Sequence, residues 1–209
     1  MDKRGTSLRE QKRIQSRNAI LDACADELAD RAEDEIRIED IAARARLSRA
    51  TVFNYFAARR EIIVGIADRE IDGLSALVDE RRGSGEPPLE TIGAVMYQLV
   101  GRSFTEPVVA WRVLRTMFDD PSREDLPVRR LLRLVEALVA TAQSAGDLRA
   151  ELDAGACARA IVGTYFAELF VIAGGNGGNE SVARSDFDAV AEQLVAPWTP
   201  AASAGGPRG

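Results

Sequence analysis

Between Ile41 and Phe56 the sequence reads IAARARLSRATVFNYF, a window in which apolar fillers and polar readers fall at separate spacings. Leu47, Val52 and Phe56 can turn to one side of a short helix-turn-helix, which leaves Arg49, Ala50, Thr51, Asn54 and Tyr55 on the other. The chemistry available to that outer set is base reading. A guanidinium can fork onto guanine, a carboxamide can pair with adenine, and a threonine can serve a thymine methyl or a phosphate. Ala50 permits close approach, and a helix this short fits a major groove. An ordinary helical hairpin shares the same outline, so the window needs further support.

Other chemistries lack their parts. The sequence holds no histidine, which removes Ser-His and Cys-His nucleophiles and every His-bearing metal site. Cys24 and Cys157 are far apart and outside any CxxC spacing, which suits a reducing cytoplasm and suggests neither zinc nor a disulfide framework. Cys24 continues the apolar stripe Ile20, Leu21, Cys24, Leu28 and reads as core filler. No catalytic constellation is visible, so an enzyme is the disfavoured class, and neither metal nor cofactor is implied.

Charge points to the same end of the chain. The 209 residues carry a formal charge of -6, yet the first sixty hold 13 Lys/Arg against 11 Asp/Glu, leaving 14 and 22 in the remainder. Before Ile20 the bias sharpens: Lys3, Arg4, Arg9, Lys12, Arg13 and Arg17 face only Asp2 and Glu10. A partner that is a polyanion belongs there, although a solvated, disordered arm explains the first few residues equally well. No apolar run follows these charges as in a signal peptide. The longest apolar segment, Ala154 to Ala173, has Arg159 and Glu168 inside it and reads as a buried helix rather than a membrane span.

The elements that must position the window are all helices, because apolar residues recur at helical spacing throughout. Helix 1 is expected from about Arg9 to Arg31, helix 2 from Ile38 to Ala45, and helix 3 from Ser48, whose hydroxyl can cap it. A long helix 4 runs from Arg59 to about Arg82 and stops at the breaker Gly83 to Pro88. Five more follow: Leu89 to Phe104, Pro107 to Phe118, Asp125 to Ala145, Asp153 to Ala173 and Ser185 to Val195. Gly174 to Asn179 reads as a mobile loop and Pro197 to Gly209 as a disordered tail. The expected architecture is all-α with about nine helices: an arm and helix-turn-helix domain over residues 1–58, a helical domain over 59–196, and the tail.

From about Arg17 to Ala67 the sequence resembles the TetR family of transcription regulators. Ile20 to Ala25 and the IARAR turn look like that family's first two helices, SRATVFNYF resembles its recognition segment, and Arg59 stands where a Lys opens helix 4. The resemblance implies a sequence-specific regulator, in the form of a ligand-responsive repressor that binds a palindromic operator as a homodimer. It implies that Arg49, Ala50, Thr51 and Asn54 face base edges or flanking phosphates and that Tyr55 and Arg59 hold the backbone, with Arg17 and Ser48 completing the DNA-facing set. Four positions depart from the pattern. Arg46 replaces a Gly in the turn, Ala32 replaces the Gly after helix 1, Arg37 replaces a Thr cap, which leaves Asp40 to support helix 2, and Phe53 replaces a common Tyr. An arginine in a left-handed turn costs about 1 to 2 kcal/mol, so the turn is either reshaped or strained.

The remaining candidates lie in the second domain. Ala156, Ala160, Gly163 and Ala167 form a small-residue strip, and Phe187, Val190, Ala191 and Leu194 give the last helix an apolar face; these suit either a dimer contact or packing within one subunit, and the resemblance implies a four-helix dimer interface from these two helices. Met96, Tyr97, Phe104, Trp111, Met117, Phe118, Tyr165 and Phe166 are large adaptable side chains that make either plain core or the lining of a small-molecule pocket. Glu168 has no cation three or four residues away on its helix. It must reach solvent at a dimer rim, pair with an Arg such as Arg112, Arg115 or Arg133, or face a ligand. The rival to a DNA-binding regulator is a helical protein-interaction module without specific DNA binding, which the acidic net charge favours.

Overall fold

The computed structural model describes residues 8–118, 126–173 and 194–200. Among them there is no strand, and the elements are α1 (Leu8–Asp30), a 3-10 turn (Glu33–Glu35), α2 (Ile38–Arg44), α3 (Arg49–Phe53) and α4 (Arg59–Ser84), then α5 (Pro88–Thr105), α6 (Pro107–Phe118), α7 (Pro127–Ala145), α8 (Ala154–Ala173) and a second 3-10 turn (Ala196–Trp198). Among the described residues, no helix is long and apolar enough to cross a membrane. The expected last helix lies outside the described residues apart from its final two, as do the Gly174 to Asn179 loop and the first seven residues.

Two compact units share α4. The first takes residues up to Glu70 together with 108–127, and the second takes Ile71–Pro107 with the chain from Val128 onward. The expected division after residue 58 thus differs from the packing: the first turns of α4 and all of α6 beyond Pro107 belong with the N-terminal elements. In the first unit the stripe Ile20, Leu21, Cys24 and Leu28 is fully buried, as are Ile41, Val52, Ile62 and Ile63. Gly65 marks a close approach, since an added Cβ there would stand 3.1 Å from both Leu21 Cδ2 and Phe56 Cε1. In the second unit, α4, α5, α7 and α8 contribute Leu74, Val95, Met96, Val135, Val139 and Val162 to one apolar cluster. An Asp72–Arg130 pair at 2.5 Å lies outside that cluster.

Helix ends repeat one device three times. After α4, Glu86 N–H donates to Arg81 O at 3.1 Å, and after α7, Asp147 N–H donates to Ala142 O at 2.9 Å. Gly85 and Gly146 sit between with φ of +77° and +85°, the left-handed residue that a Schellman ending requires. The breaker therefore acts at Gly85, while Gly83 and Ser84 continue α4. After α2 the same bond runs from Leu47 N–H to Ala42 O at 2.9 Å, but the left-handed residue is Arg46, with φ of 56°. The turn keeps its shape and carries the strain. Ala32, by contrast, is extended (φ -62°, ψ 145°), so no glycine is required there.

One expectation is corrected at the C-terminal end. The tail was expected to be structureless from Pro197, yet Arg149 N–H donates to Trp198 O at 2.8 Å, and Trp198 packs half-buried against the second unit's core. A large indole next to an apolar cluster gains more by burial than a short chain end loses in order.

Two outcomes follow from these features. Replacing Arg46 by Gly removes the left-handed penalty and should stabilise the first unit by about 1 kcal/mol in urea unfolding, after allowance for the freer unfolded chain; a destabilised variant would show that the arginine makes a compensating contact. Burial pushes the Cys24 thiol up from 9.0 to about 12. The folded chain then keeps a proton that the unfolded chain releases, so stability present below pH 9 is lost as pH rises towards 12. Unfolding midpoints measured between pH 8 and 10.5 should fall more steeply for the natural chain than for Cys24→Ala.

Candidate nucleic-acid interface

The interface begins with the end of α1. The Glu27 carboxylate is buried and forms an ion pair with Arg31, and its other oxygen lies 3.3 Å from Arg44 Nε. Arg44 also meets Asp30 at 2.7 Å, and Arg31 meets Asp40 at 3.6 Å. These links seat α2 on α1. At the start of α2, Arg37 N–H donates to Asp40 Oδ2 at 3.0 Å, so Asp40 holds the backbone donor of the N-cap residue, the reciprocal half of a capping box, and not the first-turn amides that a threonine cap would serve.

α6 reinforces the same region. Arg112 donates to the carbonyls of Leu28 and Arg31, which are end groups of α1 without helical partners. Arg115 meets Glu33 at 3.0 Å, the buried Thr116 hydroxyl donates to Glu33 Oε1 at 3.2 Å, and Arg60 donates to Thr116 O at 2.9 Å. Arg112 and Arg115, two of the cations considered as partners for Glu168, are thereby committed here.

On this platform α3 is set by its cap and its core residues. Ser48 Oγ accepts from Thr51 N–H at 3.0 Å and lies 2.7 Å from Thr51 Oγ1. Val52 and Phe56 are buried and Leu47 is half-buried, which leaves Arg49, Ala50, Phe53 and Asn54 exposed and Thr51 and Tyr55 half-exposed. The expected inner and outer sets are thus separated as the spacing indicates. Arg49 Nε stands 3.0 Å from Glu39 Oε1, and its guanidinium lies 5.3 Å from the Phe53 ring centroid. Arg17 covers the Phe56 ring at 5.5 Å. Arg59 turns inward: its Nη1 donates to Ile36 O at 2.7 Å, beside a recess that it lines with Glu33, Asp34 and Arg115.

Sequence reasoning missed Glu39 and gave Phe53 no positive role. The signal available was an acid in the first turn of α2 within reach of an outward arginine on α3, together with a large apolar residue on the outer side of α3. Neither pairing follows from spacing within a single helix.

The other candidates divide between the two units. Trp111 and Met117 belong to the first; Met96 is buried in the core of the second, against which Tyr165 and Phe166 pack half-buried. Tyr165 Oη lies 3.0 Å from the buried Ser103 Oγ, and Tyr97 is 47% exposed. The side chains of Phe104 and Phe118 lie outside what the structure describes. Glu168 is half-buried, with no ion pair among the described residues, and Arg133 is exposed. On α8, Ala156, Gly163 and Ala167 are exposed, Ala160 is half-exposed, and a Cβ on Gly163 would meet open space. Leu194 is half-buried against its own unit's core, while Phe187 and Val190 lie outside the described residues.

Comparison with known proteins bears on this geometry. Residues 20–66, which contain the helix-turn-helix, match the family described as bacterial regulatory proteins, tetR family. No curated protein matches the chain. Among solved structures, one described as the molecular basis for control of antibiotic production by a bacterial hormone is 22% identical, with a TM-score of 0.73 over 90% of this chain and 99% of its own. FadR from Bacillus subtilis in complex with stearoyl-CoA is 14% identical (TM-score 0.69, 85% and 97% covered). Thermus thermophilus FadR, a TetR-family repressor in complex with lauroyl-CoA, is 19% identical (TM-score 0.65, 92% and 100% covered). Residues 20–66 therefore form a segment that matches the tetR family, carried on a chain whose all-helical fold is similar to that of these solved structures.

Proposed function

We propose that the chain is a sequence-specific DNA-binding regulator of transcription: a homodimer on a palindromic operator that releases DNA when a small molecule binds its second unit. The observation that carries this reading is the outer face of α3, where Arg49, Ala50 and Asn54 stand exposed on a capped helix whose other side is locked into the core. One such helix makes few contacts, so paired half-sites are needed for tight binding. The exposed strip Ala156, Gly163, Ala167 on α8, with Phe170 beside it at 64% exposure, supports close approach of a second copy. The solved relatives bound to stearoyl-CoA and lauroyl-CoA support a ligand with a long apolar part. Met96, Tyr165 and Phe166 are the side chains we assign to its neighbourhood, with Glu168 as the polar contact.

Selection from a random duplex pool tests the reading, since it reports binding, symmetry and half-site spacing together. The expected product is an inverted repeat whose affinity falls steeply with salt as Lys/Arg contacts release counterions; a salt-independent or strictly asymmetric site would exclude it and favour a protein-interaction module. On the selected site, Arg49→Ala should cost about 1 to 3 kcal/mol, concentrated at one base pair per half-site. Equal losses for every base there would reduce Arg49 to a phosphate contact. Arg59→Ala is a poorer probe because it also removes the bond to Ile36.

For the ligand, thermal shifts with acyl-CoA thioesters of graded length provide the probes. With a stabilising thioester, Glu168→Gln should leave ligand-free DNA affinity unchanged and weaken thioester-induced release. Unchanged release would remove Glu168 from the ligand contacts.

A further inference from the structure

Arg49, the outward cation of α3, is held from two directions by two different elements. Glu39, in the first turn of α2, lies 3.0 Å from its Nε, and the Phe53 ring, at the end of α3, lies 5.3 Å from its guanidinium carbon. All three side chains are exposed, at 63%, 54% and 41% for Arg49, Glu39 and Phe53. Phe53 adds little to the core at that exposure, and the face of its ring is a place for a cation. The ion pair with Glu39 makes its nearest approach at Nε. Nη1 and Nη2 make no hydrogen bond among the described residues, and they are the pair that forks onto guanine O6 and N7.

Given the DNA-reading function proposed above, we infer that Glu39 is a specificity-determining residue that acts through Arg49. The carboxylate fixes the rotation of the guanidinium so that its terminal fork points outward, and it remains as a negative charge beside the reading position. A guanine edge is neutral and adds two hydrogen bonds while the guanidinium keeps its ion pair with Glu39. A phosphate brings a second anion towards the carboxylate and must draw Arg49 away from it, so Glu39 weakens non-specific binding more than specific binding. Phe53 steadies the guanidinium without adding charge.

The test compares the full chain with Glu39→Gln and Glu39→Asp, on the selected operator and on a scrambled duplex of equal length, over a salt series. Because Glu39 is exposed, unchanged melting temperatures are expected for both. Glu39→Gln should tighten binding to the scrambled duplex about five-fold, the upper range for loss of one exposed charge interaction. It should also steepen the salt dependence on that duplex by about one counterion per subunit as Arg49 turns to phosphate. Glu39→Asp keeps the charge but shortens the reach. It should leave scrambled-duplex affinity at the natural level while weakening preference for the base read by Arg49. If the natural chain discriminates between the duplexes and Glu39→Gln leaves both the ratio and the salt slope unchanged, or if the Gln and Asp variants shift alike, the role of Glu39 is overturned. If the natural chain does not discriminate at all, the DNA-reading function falls, and the role of Glu39 with it.

Discussion

At the end of α1 the buried Glu27 carboxylate requires positive partners, because an unpaired buried charge is among the most unfavourable features a fold can contain. Arg31 answers from the same helix and Arg44 from α2. Each arginine then reaches a second acid, Asp40 and Asp30 respectively. The position of α2 follows from that requirement, the turn at Arg46 follows from where α2 ends, and the start of α3 follows from the turn. Buried ion pairs of this kind add little net stability compared with apolar packing. Their contribution here is orientation: a slipped α2 would strand Glu27.

Much of this was legible in the sequence, and the reasons differ by element. Helix limits fell within one or two residues wherever a cap or breaker chemistry was local, as at Ser48, Pro107 and Ala145. The strain at Arg46 was legible because the required backbone conformation is a property of the turn, whichever residue occupies it. What escaped was long-range. That α6 belongs with the N-terminal unit depends on Arg112 finding the carbonyls of Leu28 and Arg31, more than eighty residues away, and helical periodicity contains no information about such partners. Trp198 was misjudged for a related reason: composition marks a Pro- and Ala-rich tail as unstructured, and only the apolar cluster beside it makes order favourable.

The outer face of α3 illustrates the same limit at shorter range. Spacing separated Val52 and Phe56 from Arg49 and Asn54 correctly, yet the inward turn of Arg59 towards Ile36 and the pairing of Arg49 with Glu39 depend on which carbonyl or carboxylate lies within reach. A family pattern assigns positions. Local electrostatics decides how each side chain is used.

α3 has five residues, far fewer than a helix needs to persist alone in water. Its shape is borrowed from the Ser48 cap, from Val52 and Phe56 in the core, and from α2 through the Arg46 turn. The outer face of α3 therefore has no existence apart from the folded first unit, and under the proposed function the fraction of molecules able to engage DNA cannot exceed the fraction in which that unit is intact. Under that same proposal, a substitution deep in the core, far from any base, can lower occupancy of a site in a cell through protein abundance alone, with every contact at the groove unchanged.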